Sequence, residues 1–215
     1  MPGPLALFPL RTVLFPHMPL SLHVFEERYR TMLKDCLDAG TSFGVVAIRE
    51  GAEVGGAAVP YRVGTLARIL HVERLDDGRM NLLITGASRF RITRLEDTAP
   101  YLQARIEYLQ EPADEPPARV RSELVNAFTN YLRGVQEMSA TSAELPRQLP
   151  DEMETLSYLV AAAIEGSIAS RQQLLEAATL SERVELQVAA LRREADLIRR
   201  RVLRTTPTAG SFSRN

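Results

Sequence analysis

The chain has 215 residues, enough for one or two domains that bury a core without disulfides or metals. Its 26 basic and 27 acidic residues nearly cancel, which argues against a general nucleic-acid-binding protein. The single cysteine, Cys36, excludes an internal disulfide and a multi-cysteine zinc site. The single lysine, Lys34, does not lie in a phosphate-binding loop, which argues against P-loop ATPase chemistry. No apolar run reaches the roughly 20 residues of a membrane span, and we expect a cytoplasmic protein without a membrane partner.

The first half of the chain has the pattern of short strands, and nine of the twelve glycines lie in residues 1–110. One helix is predicted from about Glu26 to Leu37, ending at Gly40. Asp76-Asp77-Gly78 predicts a hairpin turn, because glycine accepts a positive φ. The predicted strands are Phe43–Ile48, Val63–Val72, Met80–Thr85, Phe90–Ile92 and Leu102–Tyr108. We expect these strands to form a small barrel or sandwich.

After a proline-rich connector at Glu111–Pro117, the period of the apolar residues becomes helical. Helices are predicted around residues 120–135, 151–164, 170–175 and 181–202. Their expected N-terminal caps are Asp151 with Glu154, Ser170 with Gln173, and Thr179 with Glu182 or Ser181 alone. The predicted organisation is a strand-rich subdomain at 1–112, a helical subdomain at 113–205 and a disordered tail at 206–215.

The last predicted helix has two features that allow more than one interpretation. Its heptad-like apolar seam either packs on the neighbouring helices or forms a homodimer. Six arginines near its end either complement the helix dipole or bind nucleic acid, although no aromatic residues alternate with them. The seam consists of Val184, Val188, Leu191, Ala195, Ile198 and Val202, and the arginines are Arg192, Arg193, Arg199, Arg200, Arg201 and Arg204.

An apolar, proline-rich segment near the N-terminus is the candidate binding site. Its prolines hold the backbone extended and limit strand pairing, so it either fills the core as an edge strand or presents apolar side chains to a partner. We predict a peptide-binding surface and expect part of its apolar area to be exposed. The predicted binding residues are Phe15, His17, Met18 and Leu20. The spacing of His17, His23 and His71 predicts no metal site, and no catalytic residue or cofactor is predicted.

Several motifs, taken in chain order over residues 5–203, resemble the LON domain, the N-terminal substrate-recognition region of the ATP-dependent Lon protease. In the strand-rich half these motifs are Phe8-Pro9-Leu10, Phe15-Pro16, Phe25-Glu26, Arg28-Tyr29-Arg30, Phe43-Gly44-Val45-Val46, the segment 63–69 and the segment 86–92. In the helical half they are the segment 172–176 and Ser181-Glu182-Arg183.

The resemblance implies an α+β fold, with a PUA-like β-barrel containing one helix, followed by a C-terminal helical bundle. It also implies binding of unfolded polypeptide or a partner protein, without catalysis, because the ATPase and peptidase modules of Lon are absent from this sequence. We therefore expect a stand-alone, non-catalytic, polypeptide-binding LON-domain protein. Two alternatives stay open: an enzyme with an unrecognised site in the cleft between barrel and bundle, and a PUA-like protein that binds nucleic acid.

Overall fold

The computed structural model describes residues 3–55, 58–112, 116–139 and 148–205. Within these ranges, seven strands and one helix come first, and four helices follow. The strands are β1 (Leu5–Leu10), β2 (Pro19–Val24), β3 (Phe43–Glu50), β4 (Val59–Pro60), β5 (Val63–Arg74), β6 (Met80–Glu96) and β7 (Gln103–Tyr108). The helices are α1 (Glu27–Ala39), α2 (Ala118–Ser139), α3 (Met153–Ala163), α4 (Ile168–Glu176) and α5 (Leu180–Thr205).

The strands form one mixed sheet in the order β1-β7-β6-β5-β3-β4. Strand β2 is not part of this order and pairs with β6. Strand β1 runs parallel to β3 and antiparallel to β7, so the pairings lead from β1 around the sheet and back to it. With both edges paired, β1 is buried along nearly its whole length. The fold is therefore a mixed sheet with five helices, while the PUA-like barrel and the bundle stay predictions.

Local signals in the first half correspond to the observed turns. The predicted hairpin is confirmed: Gly78 has a φ of 80° and its N–H donates to Leu75 O between β5 and β6. The predicted helix is confirmed as α1, which ends at Gly40 with a φ of 62°. Its buried face consists of Tyr29, Met32, Leu33 and Cys36, the residues that the spacing predicts. These side chains pack in one cluster with residues of β1, β3, β5 and β6.

The helical half follows the predicted period, but two of its three predicted caps are wrong. Helix α3 begins after Glu152 rather than Asp151, and α4 is capped by Ser167, whose Oγ accepts the Ser170 N–H, rather than by Ser170. The third cap is confirmed, because Thr179 Oγ1 accepts the Glu182 N–H at 3.1 Å. Ser167 and Ser170 are both polar residues suited to cap α4, so the sequence alone does not distinguish them.

The apolar seam of α5 lies inside the chain. Its members from Val184 to Ile198 are buried, while the side chain of Val202 lies outside the described residues. All of these except Ala195 belong to one cluster, here called the helical core, to which α2, α3 and α4 also contribute. The intramolecular interpretation of the seam is thus confirmed, and a homodimer through α5 stays a prediction.

The two halves share buried surface. The helical core also includes Val13, Phe15, Ala47 and Val63 from the strand-rich half. A second cluster, here called the sheet core, lies between α1 and the strands. The division at 112 and 113 stays a prediction. Part of the connector, residues 113–115, and the predicted tail, 206–215, lie outside the described residues.

Gly86 offers a test of how closely the chain before β2 packs on β6. A Cβ added at this position would overlap the carbonyl oxygen of Phe15, a backbone atom that cannot move freely. We expect Gly86→Ala to lower the free energy of unfolding by about 1–3 kcal/mol, as overpacking does. The matched control is Gly3→Ala, since an added Cβ there meets nothing within 4 Å. Urea unfolding followed by circular dichroism measures both, and equal losses would contradict this packing.

Candidate functional site

Phe15 needs a correction among the four predicted binding residues. The sequence places it on a partly exposed peptide-binding segment, but its side chain is fully buried in the helical core, as the core-filling alternative has it. The guanidinium of Arg171 in α4 lies 5.3 Å from the centre of its ring. Its neighbours Val13 and Leu14 are buried as well. Proline limits hydrogen bonding but not burial, so the loop between β1 and β2 enters the core without pairing as a strand.

A tight turn separates buried Phe15 from exposed His17. The Met18 N–H donates to Phe15 O at 3.1 Å, and His17 has a φ of 63°, a left-handed conformation that few non-glycine residues adopt. The His17 N–H donates to Gly86 O at 2.9 Å, which anchors the turn to β6. The turn therefore directs the Phe15 side chain into the core and the His17 side chain outward.

The other three predicted residues lie at or near the surface. The His17 side chain is exposed, and its ring centre lies 6.3 Å from that of Tyr158 in α3. Met18 is partly buried and packs against both cores, and Leu20 is partly buried against the sheet core. Leu22, two positions further along β2, has the same environment as Leu20. Met18, Leu20 and Leu22 are here called the β2 row, which runs from the junction of the two halves along β2.

A buried charged cluster joins the two halves, and the sequence analysis did not identify it. The Glu111 carboxylate accepts from Arg89 of β6 at 2.7 Å and from Arg183 of α5. The Tyr158 hydroxyl donates to the same carboxylate at 2.9 Å. Arg89 is 4% exposed and Arg183 is not exposed at all. Since Glu111 lies in what the sequence presents as a polar connector, no local signal indicates its burial.

The remaining polar atoms of this cluster bind other groups of the protein. Arg183 donates through Nε to Ser157 Oγ at 2.9 Å and through Nη1 to the Tyr158 hydroxyl at 3.1 Å. Arg89 donates to the carbonyls of Leu175 and Ala177, at the end of α4. Burial raises the pKa of Tyr158 above its ordinary value, so this phenol stays neutral. A neutral phenol whose hydroxyl is hydrogen-bonded to Glu111 and Arg183 supports a structural role for the cluster.

Four arginines near the end of α5 have described side chains: three of them lie beside a carboxylate, and Arg200 is exposed with no ion pair among the described residues. Arg192 pairs with Glu123 of α2 at 2.6 Å, and Arg199 pairs with Asp196 at 3.6 Å. Arg193 lies 3.9 Å from Glu194. The side chains of Arg201 and Arg204 lie outside the described residues. A neighbouring carboxylate reduces the attraction of Arg192, Arg193 and Arg199 for phosphate.

Two further kinds of site are absent from the described part of the chain. No helix there is long and apolar enough to cross a membrane. Within the same ranges, no group of three or more histidine, cysteine, aspartate or glutamate side chains could hold a metal ion.

Glu111 is expected to be the most sensitive residue of the charged cluster. Glu111→Gln leaves two buried guanidinium groups without a carboxylate, which we expect to lower the free energy of unfolding by about 3–5 kcal/mol. The control is Glu107→Gln in β7, because Glu107 pairs with Arg91 at 3.3 Å where both side chains are half exposed. That loss should stay below about 1 kcal/mol. Urea unfolding compares the two, and a Glu111 variant as stable as the control would contradict the role of the cluster.

Comparisons with known proteins agree with this architecture. The sequence model of the ATP-dependent protease La (LON) substrate-binding domain matches residues 4–193. Lon protease from Anaeromyxobacter dehalogenans is 30% identical over 207 residues, which cover 93% of this chain and 24% of that protein. Lon protease from Escherichia coli strain K12 is 30% identical over 201 residues, 88% of this chain and 25% of that protein. The chain thus spans about a quarter of the length of these relatives.

Solved structures have the same fold. A Lon N-terminal domain protein from Xanthomonas campestris superposes with a TM-score of 0.66 at 27% identity, covering 87% of this chain and 98% of that one. The N-terminal domain of Lon protease from the Mycobacterium avium complex superposes with a TM-score of 0.63 at 15% identity, covering 88% and 98%, a similarity of fold alone. What is matched is the substrate-binding domain and not the ATPase or protease modules. The chain belongs to the Lon substrate-binding domain family.

Proposed function

We propose that this protein binds unfolded polypeptide through the β2 row and the neighbouring His17. The observation that carries the proposal is a run of incompletely buried apolar side chains, Met18, Leu20 and Leu22, in a member of a substrate-binding family. Partly exposed apolar surface lowers its free energy when a partner covers it. Met18 suits varied partners, since its side chain is flexible and polarizable.

Phe15 contributes from inside rather than by contact with a client. Its burial fixes the turn that exposes His17 and starts the β2 row at the junction of the two halves. Of the four binding residues predicted from the sequence, His17, Met18 and Leu20 belong to the proposed surface, and Phe15 is a positioning residue. Leu22 and the half-exposed Phe25 extend the same surface towards α1.

We propose further that the protein is a non-catalytic, cytoplasmic binding module, with a PUA-like barrel followed by a helical bundle. Two observations support the absence of catalysis as a proposal. The matched region of the relatives is their substrate-binding part, and the buried cluster around Glu111 has its hydrogen bonds directed to other groups of the protein. The return of the strand pairings to β1 supports the barrel.

Polar replacement of the row tests the proposal. We expect Met18→Gln with Leu20→Gln to weaken binding of casein, an unfolded client, by about tenfold, because each change removes apolar area from the contact. The control is Leu197→Gln, which changes an exposed leucine on α5. Fluorescence anisotropy of labelled casein measures the affinity, for which we expect a dissociation constant in the order of micromolar for wild type.

Thermal unfolding of each variant accompanies the binding measurement. Loss of affinity with a nearly unchanged melting temperature supports the surface. Equal affinity of the double variant, the control and wild type would place the site elsewhere. Absence of casein binding by the wild-type protein would contradict polypeptide binding itself.

A further inference from the structure

Strand β2 lies at an edge of the sheet. It pairs with β6 from Pro19–Thr85 to Val24–Met80 in an unbroken antiparallel register. In the described part of the chain it pairs with no other strand, so its second edge has no backbone partner there. An open edge presents a row of N–H and C=O groups that another extended chain can bind.

The hydrogen bonds of the neighbouring turn show which residues face that open edge. The Gly86 N–H donates to Met18 O at 3.0 Å, so Met18 directs its carbonyl towards β6. Backbone groups alternate along an antiparallel strand, which places those of Leu20 and Leu22 against β6 as well. Pro19, Ser21 and His23 therefore turn their backbone groups outward. Pro19 agrees with this assignment, since proline has no N–H to donate to a ladder.

The far part of β5 lies on the other side of β6 and has features that oppose pairing. Its register shifts between Ile69 and His71, and it carries Arg68, Glu73 and Arg74. Bulges and charged side chains are devices by which proteins prevent a further strand from adding to an edge. β2 has a regular register and contains no lysine, arginine, aspartate or glutamate. Of the two edges, β2 is the one suited to accept a neutral strand.

We infer that an extended segment of an unfolded polypeptide adds to the sheet as a new strand along the outer edge of β2. This inference rests on the proposed function and specifies how the polypeptide is held. Ser21 and His23 supply backbone donors and acceptors. Because side chains alternate across a strand, every second residue of the bound segment lies beside Leu20 and Leu22. The expected ligand is thus an uncharged segment with apolar residues at alternate positions.

Backbone methylation of a peptide probe tests the inference with the wild-type protein. The probe is a fluorescein-labelled peptide of about ten residues with valine alternating with threonine, a strand-forming pattern. Two derivatives carry N-methyl groups, one on the odd and one on the even residues. Only one set of amides can face β2, so we expect one derivative to bind at least about tenfold more weakly, through lost hydrogen bonds. The other should bind within about twofold of the unmodified peptide, since its methyl groups point away from β2.

A protein variant provides the complementary test. Ser21→Pro removes an outward N–H and leaves the bonds between β2 and β6, so it should weaken peptide binding by about tenfold. Ser21→Ala keeps that N–H and serves as the matched control. Circular dichroism checks the fold of both, and if Ser21→Pro does not fold, the methylated peptides decide.

The outcomes separate this inference from the proposed function. If wild type binds neither casein nor the peptide, polypeptide binding fails and the inference fails with it. If casein binds while the unmodified peptide does not, or while both methylated peptides bind equally, strand addition alone is overturned. A folded Ser21→Pro variant with wild-type affinity also overturns it. A dimer that pairs through β2 would overturn it too, if sedimentation shows that the peptide does not dissociate this dimer.

Discussion

The Glu111 carboxylate is the contact on which the arrangement of the two halves depends. It binds Arg89 from the long strand β6 and Arg183 from the long helix α5, both deeply buried. A buried charge without a partner is very costly, so this geometry strongly disfavours any displacement of α5 from the sheet. Arg89 also binds two carbonyl oxygens at the C-terminal end of α4, where backbone acceptors lack helical partners. Glu111 thereby connects β6 and α5 directly, and it connects α4 through Arg89.

The same strand positions the surface proposed to bind polypeptide. Gly86 lies three residues before Arg89 in β6 and hydrogen-bonds the turn that contains His17 and Met18. The ring of His17 faces Tyr158, a member of the charged cluster. The β2 row therefore begins beside the charged cluster, at a turn anchored to β6. A weakly binding surface gains from such support, because little conformational freedom remains to be lost when a partner binds.

Local features were predictable from the sequence, and features that depend on distant contacts were not. Gly78 and Gly40 were placed correctly because a positive φ is a property of the residue itself. The seam of α5 was placed correctly because its period defines one face. Burial of Phe15 depends on α4, more than 150 residues away, and burial of Glu111 depends on two arginines in separate elements. A proline-rich segment and a polar connector both appear exposed until the elements around them are known.

Recognition through backbone groups would make the proposed binding surface insensitive to most side chains of its ligand. The outer edge of β2 would offer hydrogen bonds to any extended chain, and the β2 row would add a preference for apolar residues at alternate positions. Neither contact reads a particular sequence. Folded proteins satisfy their own backbone groups and bury their apolar residues, so they offer neither feature. A site of this kind would distinguish unfolded from folded polypeptide by the unpaired backbone groups and exposed apolar side chains of the ligand. Binding of unfolded clients requires this discrimination.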